Sequence, residues 1–279
     1  MAGAMLLRGE DYDAGTSRDE AAGQIPSAMR EVYEIVCVTE GGADYWVEDQ
    51  SYKLRAGDIL LVPAGVMVGA SLKQRGCPFE RHGIWMSRRF LTFLKLQDDD
   101  ADYAFTRSTG EGRYLLRLPA DIFEGMEGGF ETLVAECRSD KLNAELSTKA
   151  MLNALIVQIN RVVKNLDEEV LLAGTQNRLA PVLTHIHSHC TESLTVEGLA
   201  KQFGYSSSHL AHSFKKQMGT SLYHYVLLRR LQIGREAMLN GVPVKEAYQK
   251  CGFGDYAGFY RAFTKEYGIS PQQYKKKNQ

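Results

Sequence analysis

Cationic and hydrogen-bonding side chains recur in two short segments near the end of the chain, residues 203–221 and 251–270. The first segment holds His212 and Lys216, and the second holds Arg261 and Lys265. An arginine offers a planar fork of N–H donors that fits guanine or phosphate oxygens, whereas lysine is a single point charge. Side chains of this kind indicate binding to a polyanion rather than bond cleavage.

Three histidines and a cysteine lie together at residues 185–190, where a metal could be considered. His185 and His189 would share one face of a helix because they are four residues apart. No carboxylate or second cysteine follows at ligand spacing, and short histidine tracts are weak metal signals. The sequence therefore predicts no metal site and no cofactor.

The remaining reactive residues do not form a catalytic arrangement, and no catalytic residue is predicted. The five cysteines are odd in number, scattered and never in a CxxC pair, which is typical of reduced thiols in the cytoplasm.

No apolar run approaches the roughly 18 residues of a membrane span. The acidic N-terminus does not resemble a secretory signal. We expect a cytoplasmic protein that is not an enzyme and has no membrane partner.

The net charge of −1 hides a division of the chain into an acidic and a basic part. Residues 178–279 carry 14 lysines and arginines against 6 acidic residues, a net of +8, so residues 1–177 carry a net of −9. A basic part of this size favours a polyanionic partner for that part alone. Charge also varies along chains that have no such partner, so this signal is weak by itself.

Two copies of one pattern position the basic side chains. Five residues of the first copy recur 49 residues later with similar side chains: Leu210, Phe214, Lys216, Gly219 and Ser221 become Phe259, Phe263, Lys265, Gly268 and Ser270. Each copy predicts two short helices that are joined at Gly204 or Gly252, with Ser206 or Asp255 as the N-cap of the second helix. Two helices joined in this way form a helix-turn-helix.

A single helix is predicted between the copies, from Ser221 as its N-cap to Gly241 as its stop. About 20 residues of helix span about 30 Å. This length is close to the roughly 34 Å between successive major-groove faces of B-DNA. One rigid connector can therefore present two helices to adjacent turns of the groove.

Together these residues resemble the DNA-binding domain of the AraC/XylS family, over about residues 179–276. The stretches LTVEGLAKQFGYSSSHLAHSFKKQMGTSLYHYVLLRRL and CGFGDYAGFYRAFTKEYGISPQQY carry the resemblance. One departure is Tyr248, where a smaller aliphatic residue is usual. The resemblance implies a sequence-specific transcription regulator, an activator in preference to a repressor, with double-stranded DNA and RNA polymerase as partners.

The resemblance also implies which residues meet DNA. The positions for base contacts are Ser207, Ser208, Ala211 and His212 in the first copy, and Tyr256, Ala257, Tyr260 and Arg261 in the second. The positions for phosphate contacts are Lys215, Lys216, Lys265 and the helix N-termini at Ser206 and Asp255. Two alternatives stay open: the lysines could be merely solvated, and Tyr260 could pack against a neighbouring helix.

From Val32 the pattern changes to short strands separated by turn residues, which predicts a sandwich or barrel. The stretch EVYEIVCVTEGGADYWVEDQSYKLRAGDILLVPAGV resembles the cupin-like barrel that precedes the DNA-binding domain in many AraC-type regulators, and PFERHGIWMSRRFL resembles its closing strand. Enzymatic cupins hold a metal through histidines, and the matching stretches MREVYE and PAGVMV contain none.

The barrel is therefore expected to hold a small-molecule effector, a sugar or another small metabolite, in its interior. The residues predicted to point inward and to bind it are Arg30, Tyr33, Glu34, Trp46, His82 and Trp85. A packed core without a ligand is the alternative.

Residues 141–166 are predicted to form a long amphipathic helix. Its apolar residues fall near heptad spacing: Leu142, Leu146, Met151, Leu155, Ile159 and Val162. In the family such helices form the dimer contact, which implies a homodimer. A purely intramolecular helix is the alternative.

The expected fold is α+β with several domains. Residues 1–166 form a cupin-like β-barrel with a helical dimerisation segment, residues 167–178 a linker, and residues 179–279 an all-α domain with two helix-turn-helix units. The rival interpretations are an enzyme built on a cupin and a module whose helix pairs contact protein instead of DNA.

Overall fold

A computed structural model of the chain describes residues 11–19, 23–72, 78–165, 171–172, 175–176 and 179–277. The chain divides into two compact units, Met1–Asn177 and Arg178–Gln279. Within the described ranges, no helix has the length and apolar character needed to span a membrane.

The first unit is built on antiparallel strands. The strands are β1 (Tyr12–Asp19), β2 (Gly23–Met29), β3 (Tyr33–Glu40), β4 (Asp44–Val47), β5 (Gln50–Lys53), β6 (Asp58–Val62), β7 (Met67–Leu72), β8 (Phe79–Met86), β9 (Leu115–Arg117), β10 (Leu171–Leu172) and β11 (Thr175–Gln176). They form one sheet in the order β1-β8-β3-β6-β9-β10 and a second in the order β11-β5-β4-β7-β2.

The two sheets face each other across an apolar core. Successive residues of a strand point to opposite faces. Val36 and Val38 of β3 therefore lie between the sheets with Val47 and Val68 of the smaller sheet. Ile35, on the opposite face of β3, packs against helices. The arrangement confirms the predicted cupin-like barrel.

Among the described residues of the first unit, four helices accompany the barrel. They are α1 (Arg88–Lys95), α2 (Tyr103–Glu111), α3 (Ala120–Cys137) and α4 (Ala144–Asn165). Leu155 and Ile159 of α4 are buried against the outer face of the larger sheet and α3. Leu142 lies before the start of α4 and is 92% exposed, and Leu146 is 68% exposed. The predicted apolar stripe is therefore divided between the core and the surface.

Over its described residues, 179–277, the second unit contains helices and no strands. Its helices are α5 (Ala180–His189), α6 (Val196–Phe203), α7 (Ser207–Met218), α8 (Leu222–Leu239), α9 (Val244–Lys250), α10 (Tyr256–Tyr267) and α11 (Pro271–Lys277). Helices α6 and α7 form the first helix-turn-helix, and α9 and α10 form the second. The connector α8 has 18 residues and is therefore about 27 Å long.

The predicted caps and stops are present in the second unit. The Ser206 hydroxyl accepts a hydrogen bond from the His209 amide, and the Asp255 carboxylate accepts one from the Gly258 amide. Gly204 and Gly219 adopt left-handed backbone conformations at the ends of α6 and α7. Sequence patterning was sufficient here because caps and glycine stops are local signals.

Several elements were not predicted. Strands β1 and β2 precede Val32, in a segment with few β-branched residues, and their pairing with β8 and β7 determines their conformation. Strands β10 and β11 fall in the predicted linker and pair with β9 and β5. In each case the partner strand is distant in sequence, so no local pattern indicates it.

Candidate DNA interface and effector site

The exposed face of α7 lies opposite its buried face. Leu210, Phe214 and Met218 are fully buried. The exposed predicted contacts are Ser206, Ser208, Ala211, His212, Lys215 and Lys216, while Ser207 is half-buried. Because these residues recur at helical spacing, one side of α7 offers hydroxyl, imidazole and ammonium groups together.

Helix α10 repeats this arrangement. Phe259 and Phe263 are fully buried. Ala257, Tyr260, Arg261 and Lys265 are exposed, as is the capping residue Asp255. The exposed side of α10 therefore combines a guanidinium, an ammonium and a phenol.

The cationic side chains on both helices are available to a partner. Lys215 and Lys216 on α7, and Arg261 and Lys265 on α10, make no side-chain hydrogen bond or ion pair with any residue that the structure describes. A cation without an internal partner keeps its full capacity for a phosphate or a base edge. The two helices therefore have the chemistry of a nucleic-acid contact.

Tyr256 does not fit the predicted contact role. Its ring packs with Tyr248 and Phe259, and its hydroxyl is buried without a hydrogen-bond partner among the described residues. Burial raises the pKa of the Tyr256 hydroxyl. Tyr260 also contacts the Tyr256 ring but remains 38% exposed. The prediction for Tyr256 is corrected because its side chain fills the space beside Tyr248, the large residue in α9.

The barrel interior holds a polar group at one end. Arg30 Nε lies 3.0 Å from Glu34 Oε2, and both atoms are buried without a well-directed hydrogen bond. Trp85 lies opposite Glu34 in the pairing of β3 with β8, so both point between the sheets. The Trp85 ring covers Gly83, where a side chain would collide with it. Arg30, Glu34 and Trp85 are therefore brought together as predicted.

Tyr45 completes this polar group. Burial, together with the nearby Glu34 carboxylate, raises the pKa of Tyr45 to about 12. Burial lowers the pKa of Arg30, but Glu34 and the hydrogen-bonded Tyr45 outweigh it, and the pKa is raised. The sequence analysis did not identify Tyr45 as part of this polar group. It also missed Arg81, whose positive charge acts on the Tyr45 hydroxyl. Period-two alternation could have indicated both, since Tyr45 and Val47 share a face and Arg81 and Trp85 share another.

Three residues predicted to point inward do not. Trp46 lies on the outer face of the smaller sheet, over Gly69, and donates a hydrogen bond to Ser27 Oγ. Tyr33 points to the helices and packs against Phe105. His82 pairs with Cys37 on that same helix-facing side, and its Nδ1 lies 2.8 Å from Thr16 Oγ1. Strand alternation places all three on the wrong face for the barrel interior.

The histidines of α5 are engaged within the protein. His185 and His189 stack with ring centroids 4.2 Å apart, and His189 Nδ1 lies 3.0 Å from the His185 carbonyl. His187 Nε2 lies 2.6 Å from the Tyr225 hydroxyl. In the described part of the chain, no three metal-ligating side chains converge.

Comparison with known proteins gives matches in both units. A family described as "AraC-like ligand binding domain" matches residues 24–172, and one described as "Helix-turn-helix domain" matches residues 199–277. The chain is similar to the HTH-type transcriptional activator RhaR of Enterobacter sp. (strain 638), with 24% identity over 97% of this chain and 96% of RhaR.

Shorter alignments relate it to two further regulators. The probable transcriptional regulator LumQ of Photobacterium leiognathi is 28% identical over 51% of this chain, and the xylose operon regulatory protein of Escherichia coli (strain K12) is 24% identical over 37%. These alignments span only 57% and 27% of the two relatives. Because the ligand-binding family alone matches more than half of the 279 residues, this chain belongs to the AraC family of transcription regulators and is not an enzyme.

Proposed function

We propose that this protein is a transcription activator that binds duplex DNA sequence-specifically and is controlled by a neutral, sugar-like effector in its barrel. The observation that carries the DNA part is the pair of helices α7 and α10, which expose unpaired cations on the sides opposite their buried faces. The net charge of +8 on residues 178–279 favours a polyanion over a protein surface.

The two helices divide the contacts by chemistry. Arg261 suits a guanine edge, Ser208 and His212 suit single hydrogen bonds to bases, and Ala211 suits a thymine methyl. Lys215, Lys216 and Lys265 lie a turn further on and suit phosphates, as do the free amides at the starts of α7 and α10. Tyr260 and Ala257 border Arg261 and limit which base pair it can approach.

The effector class follows from the charge of the interior group. Arg30 is paired with Glu34 and Arg81 with Asp19, so the interior group carries no free cation among these residues, and an anionic effector would face the Glu34 carboxylate at close range. A polyhydroxylated ligand can accept from Arg30, donate to Glu34 and stack on Trp85, whose flat ring is apolar. The names of the relatives support a sugar, since one is a xylose operon regulator, and the name of RhaR supports activation.

The same proposal assigns the remaining parts of the chain. Residues 1–166 would bind the effector and form a homodimer, and residues 179–279 would bind DNA in the cytoplasm. Residues 167–178 would connect the two domains while adding β10 and β11 to the sheets of the barrel. The exposed Leu146 and Val157 on one side of α4, with the exposed Leu142 just before the helix, support the homodimer. RNA polymerase is the partner that an activator requires.

A thermal-shift screen of the full chain against neutral sugars and matched sugar acids tests the effector proposal. We expect a neutral sugar to raise Tm, and Glu34→Gln and Trp85→Phe to abolish the shift. Trp46→Phe is the matched control, because Trp46 lies on the outer face of the barrel. A rise in Tm with sugar acids alone would contradict the neutral effector. If Trp46→Phe also abolished the rise in Tm, the effector site would not be in the barrel interior.

A further inference from the structure

The turn that follows α5 touches the turn of the second helix-turn-helix. A Cβ built on Gly252 would come within 2.3 Å of the Thr191 carbonyl oxygen and 2.7 Å of the Thr191 Cα. Gly252 also has a φ of +79°. Backbone therefore meets backbone at this point, and no side chain fits at residue 252 without moving α5.

Arg230, in the middle of α8, holds the turn that follows α5. Its Nε donates to the Cys190 carbonyl and its Nη2 donates to the Glu192 carbonyl, each at 2.6 Å. Carbonyls at a helix C-terminus have no partner within the helix, and a cation is favoured there. One side chain therefore satisfies the carbonyl of the C-cap residue Cys190 and the Glu192 carbonyl two residues beyond it, and fixes their direction relative to α8.

One turn further along α8, Gly234 leaves room for the second helix-turn-helix, because it has no side chain. A Cβ on Gly234 would lie 2.9 Å from both Cys251 Sγ and a Phe259 ring carbon. The middle of α8 therefore contacts the turn after α5 through Arg230 and the α9–α10 pair through Gly234. Tyr225, near the start of α8, is a second tie to α5 through its contact with His187.

These contacts bear on the geometry of DNA binding. Helix α5 packs against α6, and α6 packs against α7. The orientation of α7 relative to α10 is therefore set by two connections, the helix α8 itself and the contact of the α5 turn with Gly252. A single helical connector could twist or bend, but a second point of contact removes that freedom.

We propose that Arg230 is a positioning residue that holds the α5 turn against Gly252 and so fixes the spacing of α7 and α10 on DNA. This inference rests on the proposed DNA-binding function. The Arg230 guanidinium acts through α5 and is occupied by the two carbonyls. Its removal should relax the spacing requirement of the protein rather than its choice of bases.

The test uses the full chain and a duplex that the wild-type protein enriches from a randomised pool. One or two base pairs are then inserted between the two segments that one protomer protects. For the wild type we expect each insertion to weaken binding at least about 10-fold, because it rotates and displaces one half-site. For Arg230→Gln and Arg230→Lys we expect about 10-fold weaker binding to the parent duplex but less than about 3-fold further loss on insertion.

Lys216→Gln is the matched control, since it also removes a cation from this unit. It should weaken binding to the parent and inserted duplexes alike and keep the wild-type insertion penalty. Thermal unfolding establishes that each variant is folded. Arg230→Lys retains the charge and one of the two hydrogen bonds. If Arg230→Gln does not fold, the insertion penalty of Arg230→Lys tests the positioning role instead.

The outcomes separate the two proposals. A wild-type chain that enriches no duplex overturns the proposed function and this inference with it. A wild-type insertion penalty below about 3-fold, or a full penalty retained in folded Arg230 variants, overturns the positioning role and leaves DNA binding standing.

Discussion

The two helix-turn-helix units share a common frame, by which we mean the caps, buried apolar residues and glycine stops of their helices. They differ in the side chains that they expose. In each unit the second helix begins at a side-chain cap, buries apolar residues at equivalent positions (Leu210 and Phe214 in α7, Phe259 and Phe263 in α10) and ends at a left-handed glycine. The exposed side of α7 offers Ser208, Ala211 and His212, which are small or singly hydrogen-bonding. The exposed side of α10 offers Tyr260 and Arg261, which are larger and include a guanidinium fork.

The difference indicates a division of labour. The frame is maintained by buried residues whose chemistry is the same in both units, so each helix can be placed similarly against a groove. Specificity then depends on exposed residues that are free to differ. We expect α10 to contribute more base discrimination, and α7 to contribute more through phosphates, because Lys215 and Lys216 are adjacent on it.

The largest expected effect tests whether the frame is equivalent in the two units. Phe214→Ala and Phe263→Ala each remove a fully buried ring and should each lower the free energy of unfolding by about 3–5 kcal/mol. Guanidinium unfolding of the full chain measures both. Tyr223→Ala, at a residue that is 75% exposed, is the control and should stay within about 0.5 kcal/mol. If either substitution lowered the free energy of unfolding by less than about 1 kcal/mol, the buried residues of the two units would not be equivalent.

An intermediate effect tests the difference in readout. Arg261→Ala should weaken binding to the selected duplex by about 1–3 kcal/mol and relax the preference at one base pair. Lys216→Ala should weaken binding to selected and scrambled duplexes alike and lower the salt slope by about one unit. Titrations of both variants on both duplexes over a salt series measure this. Equal losses for Arg261→Ala on both duplexes would make it a phosphate contact and remove the proposed asymmetry.

The smallest expected effect concerns the caps. Ser206→Ala and Asp255→Ala should each destabilise the unit by about 0.5–2 kcal/mol, with the larger cost at Asp255. The Asp255 carboxylate oxygen is 2.7 Å from the Gly258 amide, whereas the Ser206 hydroxyl is 3.2 Å from the His209 amide. The carboxylate also lies at the positive end of the helix dipole. Thermal unfolding at low and high salt checks this, and an Asp255→Ala cost that does not fall in high salt would contradict the electrostatic part.

The repeat in the sequence was sufficient to predict α6 to α10 with their caps and stops. These features depend on residues within about one turn of each other. The contact of Thr191 with Gly252 was not predictable in this way, because the partners are far apart in sequence and a glycine signals only its own backbone conformation. Gly252 was explained as a helix stop, and the structure adds the close approach of α5.

In the barrel, the prediction of which side chains face the interior did not follow the alternation of residues along each strand. Trp46, Tyr33 and His82 were predicted to face inward together with Arg30, Glu34 and Trp85. Alternation along β3, β4 and β8 places them elsewhere. Arg30, Glu34 and Trp85 do lie together, and their role as an effector site stays a prediction.

The central claim is that one chain contacts DNA through both helix-turn-helix units, and a footprint tests it most directly. The full chain, bound to its selected duplex, should protect two major-groove segments whose centres are about 10 base pairs apart for each protomer. Arg261→Ala should weaken protection in one segment, and His212→Ala in the other. A single protected segment per protomer, or loss of the same segment in both variants, would contradict the account.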